Sequence, residues 1–190
     1  MKTCFGKNQW NKEDFIQAYT FRYTETPDFT QTEEGIESAA NPAHKEGFDN
    51  ISLLTKETFT AGTKAAIECS FEDWGCPEII LVEKPETCED GAVRYGACFE
   101  VVLYKNGVNI WRHYREDGKC FWHKRLGVSY PVSENEKHRL EVEVKENYLT
   151  ISIDGQKNTL RVDDLFESFY FGITVCEGIA RVYSMETELL

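Results

Sequence analysis

The feature of this sequence that most constrains its fold is an apolar pattern with a period of two, interrupted at short intervals by turn-forming dipeptides. Alternation of this kind places every second side chain on one face of a β-strand. In Lys64–Phe71 that face carries Ala65, Ile67, Cys69 and Phe71. The dipeptides Asn106-Gly107, Asp117-Gly118 and Asp154-Gly155 supply the positive φ angles of two-residue hairpin turns. The sequence therefore predicts antiparallel strands joined by tight hairpins.

Strand patterns extend over most of the chain. Leu140–Val144 and Leu149–Ile153 alternate on either side of a predicted turn at Glu146-Asn147. Gly75-Cys76-Pro77 and Glu177-Gly178 are expected to end strands. We expect about ten to thirteen short strands and no long helix, because turn residues recur so often. This predicts an all-β fold, with two antiparallel sheets packed as a sandwich.

The domain organisation follows from the length. A chain of 190 residues fits one domain, so we expect a single domain over residues 1–190, with residues 1–47 its least regular part. Phe15–Thr24 is predicted as a strand because it is rich in Tyr, Thr and Phe. The alternative is a short helix capped by Asp14. Ser38–Asp49 is predicted as a loop.

The charge of the chain excludes two classes of partner. Its formal net charge is -12. Phosphate backbones and anionic membranes attract clusters of Lys and Arg, so we expect neither nucleic acid nor a membrane as a partner. No apolar run resembles a signal peptide or approaches the roughly 18 residues of a membrane span. If Met1 is the native start, these features predict a cytoplasmic protein.

The seven cysteines are odd in number and irregularly spaced, unlike a disulfide framework. We expect them to be reduced and mostly buried as small apolar groups. No pair has the Cys-x-x-Cys spacing typical of zinc sites, so we predict no metal and no other cofactor. Asp163 and Asp164 are the place where a structural calcium ion would find carboxylates, but nothing else in the sequence supports one.

Two-residue turns also predict the register of the three strands between Cys98 and Leu126. A turn at Asn106-Gly107 places Leu103 opposite Ile110, Val101 opposite Arg112, and Phe99 opposite Tyr114. A turn at Asp117-Gly118 places Tyr114 opposite Phe121 and His113 opposite Trp122. The side expected to face the core then carries Phe99, Val101, Leu103, Ile110, Tyr114 and Phe121.

The opposite side is both polar and aromatic. Its predicted rows are Cys98, Arg115 and Cys120; Glu100, His113 and Trp122; and Val102, Trp111 and Lys124, continued by Tyr104 and Asn109. Indole rings stack on the apolar face of a sugar ring, while charged and amide groups hydrogen-bond its hydroxyls. We therefore predict a carbohydrate site on this face. The alternative is an ordinary outer sheet face, exposed or covered by the N-terminal segment.

Candidate catalytic pairs are fewer. Glu100 beside His113 has the composition of an acid–base pair, although a purely structural pairing is the alternative. Glu141 and Glu143 lie two residues apart, but the apolar residues between and around them predict an outward-facing charged strand. The sequence has no phosphate-binding glycine loop, no Gly-x-Ser-x-Gly and no His-Glu-x-x-His.

Three stretches resemble the concanavalin A-like lectin and glucanase superfamily. They are His138–Val144 leading through Leu149–Ile153 to Asp154-Gly155, then Phe169–Ile173, and the closing strand around Arg181–Tyr183. Phe48–Lys56 resembles an earlier strand, so the similarity covers residues 48–190. The resemblance implies a jelly-roll sandwich of two large antiparallel sheets. It also implies that the concave sheet binds or cleaves glycans.

One departure from that superfamily shapes the functional expectation. Its retaining glucanases carry a Glu-x-Asp-x-Glu strand, which this sequence lacks. We therefore expect a lectin-like binder of a carbohydrate or small glycoside. The alternatives are a glycoside hydrolase or lyase that uses Glu100 and His113, and a non-catalytic subunit whose aromatic face forms a protein interface, such as that of a homo-oligomer.

Overall fold

The computed structural model describes residues 1–22, 26–38 and 49–190. Within these ranges the chain forms one short 3-10 helix at Lys12–Asp14 and fifteen β-strands. The strands are β1 (Lys2–Cys4), β2 (Ile16–Thr20), β3 (Thr30–Gln31), β4 (Ile36–Ser38), β5 (Ser52–Leu54), β6 (Thr63–Val82), β7 (Glu86–Thr87), β8 (Val93–Tyr95), β9 (Cys98–Tyr104), β10 (Gly107–Glu116), β11 (Lys119–Ser129), β12 (His138–Lys145), β13 (Tyr148–Ile153), β14 (Gln156–Arg161) and β15 (Tyr170–Leu189). No helix in the described ranges is long and apolar enough to cross a membrane.

Two long strands, β6 and β15, run through both layers of the sandwich. Each has 20 residues, and the two pair with each other along nearly their whole length. The C-terminal part of β6 and the N-terminal part of β15 belong to the front sheet, whose order is β11-β10-β9-β6-β15-β5-β2-β8-β7. Their other halves belong to the back sheet, in which β6 pairs with β12 and the row continues to β13 and β14. On its other side, β15 pairs there with β1 and β4.

Both long strands change sheet at a shared bend. In β6, Asp73 and Trp74 have positive φ angles of 49° and 67°, and in β15 Glu177 has a φ of 62° beside a shift in register. Bulges of this kind let a strand turn a corner without losing its partner. The predicted strand ends at Gly75-Cys76-Pro77 and Glu177-Gly178 were therefore wrong, because both strands bend there and continue.

The core lies between the two sheets and confirms the all-β sandwich. The predicted apolar face of Lys64–Phe71 is fully buried, and so are Leu140, Val142 and Val144. Glu141 and Glu143 consequently face outward from the back sheet, as predicted. In the described part of the chain, β2 and β8 form a parallel pair and the other strand pairs are antiparallel.

Most predicted turns and strands are confirmed. Asp117-Gly118 and Asp154-Gly155 have positive φ angles at both residues, and Glu146 turns between β12 and β13 with a φ of 52°. The strand predicted over Phe15–Thr24 is confirmed for Ile16–Thr20, which is β2, whereas Phe21 and Arg22 form a turn and Tyr23 and Thr24 lie outside the described residues. Most of the predicted loop Ser38–Asp49, residues 39–48, also lies outside them.

The register predicted for β9 and β10 was wrong by two residues. Tyr104 lies opposite Gly107, so the turn residues are Lys105 and Asn106 rather than Asn106 and Gly107. A slip by two keeps each side chain on its predicted face, because strands alternate with a period of two. The observed pairs are Leu103 with Val108, Val101 with Ile110, Phe99 with Arg112, Glu100 with Trp111, and Cys98 with His113. The predicted register of β10 and β11 is confirmed, with Tyr114 opposite Phe121 and His113 opposite Trp122.

We predict that Gly178→Ala destabilises the sandwich by at least about 2–3 kcal/mol, more than a substitution in an open turn would. A Cβ at Gly178 would lie 1.6 Å from the backbone oxygen of Asp73, across the bend. Gly118→Ala is the matched control, because a Cβ there meets nothing within 4 Å and the cost is the positive φ alone, about 1 kcal/mol. Urea unfolding measures both. Equal losses would show that the bend does not depend on this close approach.

Candidate functional site

A cleft of about 530 Å³ opens on the face of the front sheet that points away from the core. We call it the Trp cleft. Strands β6, β9, β10, β11 and β15 supply most of its walls, and Arg22 and Asp49 add to them from the N-terminal region. The lining residues are Arg22, Asp49, Cys76, Glu78, Glu100, Val102, Tyr104, Asn109, Trp111, His113, Trp122, Cys176 and Glu177.

Six of the eight residues predicted for the site line this cleft, namely Glu100, His113, Tyr104, Asn109, Trp111 and Trp122. Trp122 is 52% exposed, and its ring is stacked near that of His113 at a centroid distance of 6.5 Å and an interplanar angle of 19°. The Arg22 guanidinium lies 5.6 Å from the centre of the Trp122 ring. The cleft therefore has an aromatic wall on β10 and β11.

The other two predicted ligands, Arg115 and Lys124, lie outside the Trp cleft. The Arg115 guanidinium lies 4.0 Å from the centre of the Phe21 ring and lines a separate cleft. Lys124 is exposed on β11, with its Nζ 5.8 Å from the centre of the Trp111 ring. The corrected register explains the position of Arg115, since it places Cys98 rather than Glu100 directly opposite His113 and so brings Arg115 beside Gly96.

Glu100 and His113 nevertheless form the predicted pair. His113 Nε2 lies 2.6 Å from Glu100 Oε2, and both side chains are almost fully buried. Arg22 Nη1 lies 3.4 Å from the other ring nitrogen, Nδ1. Burial acts to raise the pKa of Glu100, but the charge and hydrogen bond of His113 and the charge of Arg22 outweigh it and hold this pKa below its ordinary value. Glu100 is thus the carboxylate that stays ionised.

Two further acids, Asp49 and Glu78, are buried beside Glu100, and each is only 1% exposed. Burial and the charge of Glu100 raise the pKa of Asp49 to about 7, although the ion pair with Arg22, at 2.6 Å, acts to lower it. Burial and the charges of Glu100 and Asp49 also raise the pKa of Glu78 well above its ordinary value. Glu78 Oε2 has no hydrogen-bond partner among the described residues.

The same region contains donor atoms suited to a cation. One donor atom each from Asp49, Glu78 and Cys176 lies within 4.8 Å of the others. Cys176 is directly opposite Cys76 across β15 and β6, and both thiols are free. Hydrogen bonding to Cys76 and burial raise the pKa of the Cys176 thiol. By contrast, Asp163 and Asp164 are engaged by Arg161, Arg112 and Arg125.

Sequence reasoning missed Glu78, Asp49, Arg22 and Cys176 as site residues. The sequence did contain a sign that Glu78 belongs to the site. Glu78 is the first residue of the apolar run Glu78–Val82, and it faces the same side as Ile80 and Val82. Both of these residues are buried on the cleft side of the sheet. An acid on a strand that is covered on both faces is rare without a partner. Asp49 and Arg22 had no such indication, since they come from a part of the chain without a regular period.

A small apolar cluster separates the Trp cleft from a second, larger cleft on the same face. The cluster, which we call the apolar divider, consists of Ala18, Leu54, Ile80, Val82, Tyr95 and Cys98. Along β9, Glu100 and Val102 line the Trp cleft and Cys98 belongs to the divider. The preceding residues, Gly96 and Ala97, line the second cleft, which has a volume of about 910 Å³. The Tyr95 hydroxyl is hydrogen-bonded to Ser52 Oγ at 2.8 Å, which anchors the divider to β5.

Neither a protein-family model nor a curated protein matches the sequence. The fold, however, resembles solved structures. The carbohydrate-binding module CBM66 from Bacillus subtilis matches with a TM-score of 0.61 and 15% identity, over 84% of this chain and 90% of the module. The β-glucanase of Bacillus licheniformis matches with a TM-score of 0.60 and 12% identity, over 97% and 95% of the two chains.

A third similar structure is the exoplasmic/lumenal domain of VIP36 in its form bound to Ca²⁺ and Man3GlcNAc. It has a TM-score of 0.57 and 13% identity, over 85% of this chain and 81% of that domain. All three are concanavalin A-like jelly rolls. At these identities the similarity establishes the fold. The concanavalin A-like jelly roll implied by the sequence resemblance is therefore confirmed.

We predict that Asp49 makes folding stability fall as pH rises from about 4 to about 8 in chelator-containing buffer. Its folded-state pKa of about 7 lies above the ordinary value of 3.8. The stability linked to this group is therefore complete below the ordinary value and is lost as pH rises through the folded one. Asp49→Asn should remove on the order of 4 kcal/mol of this dependence. Denaturant unfolding across the pH range tests it, with exposed Asp14→Asn as control, and parallel curves for wild type and Asp49→Asn would contradict it.

Proposed function

We propose that the protein binds a small carbohydrate, or the end of a glycan chain, in the Trp cleft. The proposal rests on one observation, which is that one wall of the cleft is aromatic and the other is polar. Trp111 and Trp122 offer flat apolar surfaces on β10 and β11, while the buried acids with Arg22 and His113 offer hydrogen-bonding groups on the other side. A pyranose ring has the same division between apolar C–H faces and a polar hydroxyl rim.

The size of the cleft favours a short ligand. Its volume of about 530 Å³ lies within the range typical of small-molecule sites, about 300–1,000 Å³. Beside the cleft, this face of the front sheet is covered at the apolar divider, where Tyr95 is 1% exposed, so the open surface does not continue along the strands there. A mono- or oligosaccharide, or a chain terminus, fits this geometry better than the middle of a long glycan.

The similar structures support the same class of ligand. One is a carbohydrate-binding module, and another was solved with Man3GlcNAc bound. Similarity of fold does not carry function by itself. The proposal therefore depends on the side chains of the Trp cleft, and the similar structures make carbohydrate the first ligand class to test.

We predict that Trp111→Ala and Trp122→Ala each weaken sugar binding by roughly 1–3 kcal/mol, or about 5- to 150-fold in Kd, because each removes a stacking surface. Isothermal titration calorimetry against a panel of mono- and oligosaccharides measures this. Tyr148→Ala is the control, since Tyr148 is an exposed aromatic residue on β13 in the back sheet. Wild-type protein that binds no sugar, with an oligomer that Trp122→Ala dissociates, would instead identify the face as a protein interface.

A second candidate function is hydrolysis of a small glycoside, and one observation favours it. Glu78 and Glu100 lie on neighbouring strands, with pKa values displaced in opposite directions. One carboxyl that stays protonated beside one that stays ionised is the combination that acid–base catalysis requires. In this scheme Glu78 is the general acid and Glu100 the carboxylate, oriented by His113. The sequence had suggested Glu100 with His113 as the acid–base pair.

If the protein is a hydrolase, Glu100→Gln and Glu78→Gln should each lower kcat on an aryl glycoside by about 100-fold or more, because each removes a proton-transfer group while keeping its shape. Binding of the substrate should change far less. Glu143→Gln, on the outer face of the back sheet, is the matched control. Absence of turnover in the wild-type protein, with sugar binding intact, would leave binding as the function and reject catalysis.

A further inference from the structure

We propose that Asp49, Glu78 and Cys176 form a binding site for a divalent transition-metal ion of the Zn²⁺ class, at the end of the Trp cleft next to the bend. The site shares its buried acids with the carbohydrate proposal, but it involves neither tryptophan and is defined without a sugar. It lies on the central strands of the front sheet, whereas the stacking surfaces lie on β10 and β11.

The backbone brings the three candidate ligands together. Glu78 on β6 lies opposite Thr174 on β15, two residues before Cys176. Asp49 forms an isolated antiparallel bridge with Cys176 itself. The donor atoms lie within 4.8 Å of one another. Tetrahedral zinc with bonds of about 2.0–2.3 Å needs separations of about 3.3–3.8 Å between donors, so rotamer adjustments of about 1 Å would close the site.

The second observation is a buried carboxyl oxygen that has no hydrogen-bond partner. Glu78 Oε2 has no hydrogen-bond partner within the described ranges, and its side chain is 1% exposed. A buried carboxyl oxygen without a partner is costly, and buried carboxyl groups in folded proteins are normally fully paired or coordinate a metal. Asp49 and Glu100 add negative charge beside it, whereas Arg22 and His113 are the basic side chains among the residues lining the cleft. A divalent cation would take the place of the proton that Glu78 holds and would offset the charge of the ionised acids.

The donor set selects the class of metal. Ca²⁺ and Mg²⁺ take oxygen ligands and do not favour a thiolate. Zn²⁺ and Co²⁺ accept one thiolate together with carboxylates. Cys76 lies directly opposite Cys176 and offers a second sulfur nearby. Three protein ligands facing a cleft leave a fourth position for water or a ligand oxygen, which is the arrangement of an open metal site.

The test is titration of the chelator-treated, fully reduced protein with Co²⁺, followed by absorption spectroscopy. A thiolate ligand produces a sulfur-to-cobalt charge-transfer band, and tetrahedral coordination produces intense visible bands. We expect one equivalent of Co²⁺ to give both, and Zn²⁺ to displace it. Cys176→Ser should abolish the charge-transfer band, and Glu78→Gln should weaken Co²⁺ binding by about tenfold or more.

Matched controls separate this site from adventitious binding by other thiols. Cys4→Ser and Cys88→Ser remove an exposed and a half-buried cysteine that do not line the Trp cleft, and both should keep the band. Thermal unfolding without metal checks that each variant folds. If Glu78→Gln does not fold, Asp49→Asn takes its place in the titration. Absence of a one-equivalent band in the wild-type protein, or a band that survives in Cys176→Ser, would overturn the proposal. Trp111→Ala should bind Co²⁺ normally, so failure of sugar binding and failure of metal binding are distinguishable.

Discussion

The pairing of β6 with β15 through both sheets is the interaction on which the rest of the structure depends. These two strands form the centre of the front sheet and continue into the back sheet, so their shared bend sets how the two layers face each other. Cys76 and Glu177, beside that bend, also line the Trp cleft. The element that closes the sandwich therefore also positions the candidate site. Gly178 lies at this bend, where a Cβ would have no room beside the backbone of Asp73.

The central position of these strands explains the unusual electrostatics of the cleft. A residue on a central strand has neighbours on both sides, so the acids at positions 78 and 100 are removed from water even though they line a cleft. Burial of this kind opposes folding, and the extensive apolar core between the sheets must compensate for it. Side chains whose burial costs folding free energy are typical of functional sites, where stability is given up for binding or catalysis.

The sequence predicted which face of its strand each side chain occupies. It predicted less well which residues lie opposite one another on neighbouring strands. Parity depends on apolar alternation, which is local, so Glu100, Trp111, His113 and Trp122 were placed on the correct face. Register depends on which residues form the turn, and the first hairpin uses Lys105-Asn106. The two-residue slip left the face intact but moved Arg115 out of the predicted cluster. Asp49 and Cys176 are about 127 positions apart in sequence and meet only through long-range pairing, which no local pattern encodes.

The arrangement of the cleft also predicts how a ligand would be oriented. The stacking surfaces lie on β10 and β11, towards the edge of the front sheet, where Trp122 is half exposed. Glu78, Glu100 and Cys176 lie on β6, β9 and β15, where packing fixes them and low solvent access strengthens their hydrogen bonds. A sugar ring would therefore place its apolar face towards the edge strands and its hydroxyl rim towards the centre. Specificity among sugars would then come from the buried acids and the ion they coordinate, while the tryptophans would contribute affinity with little discrimination.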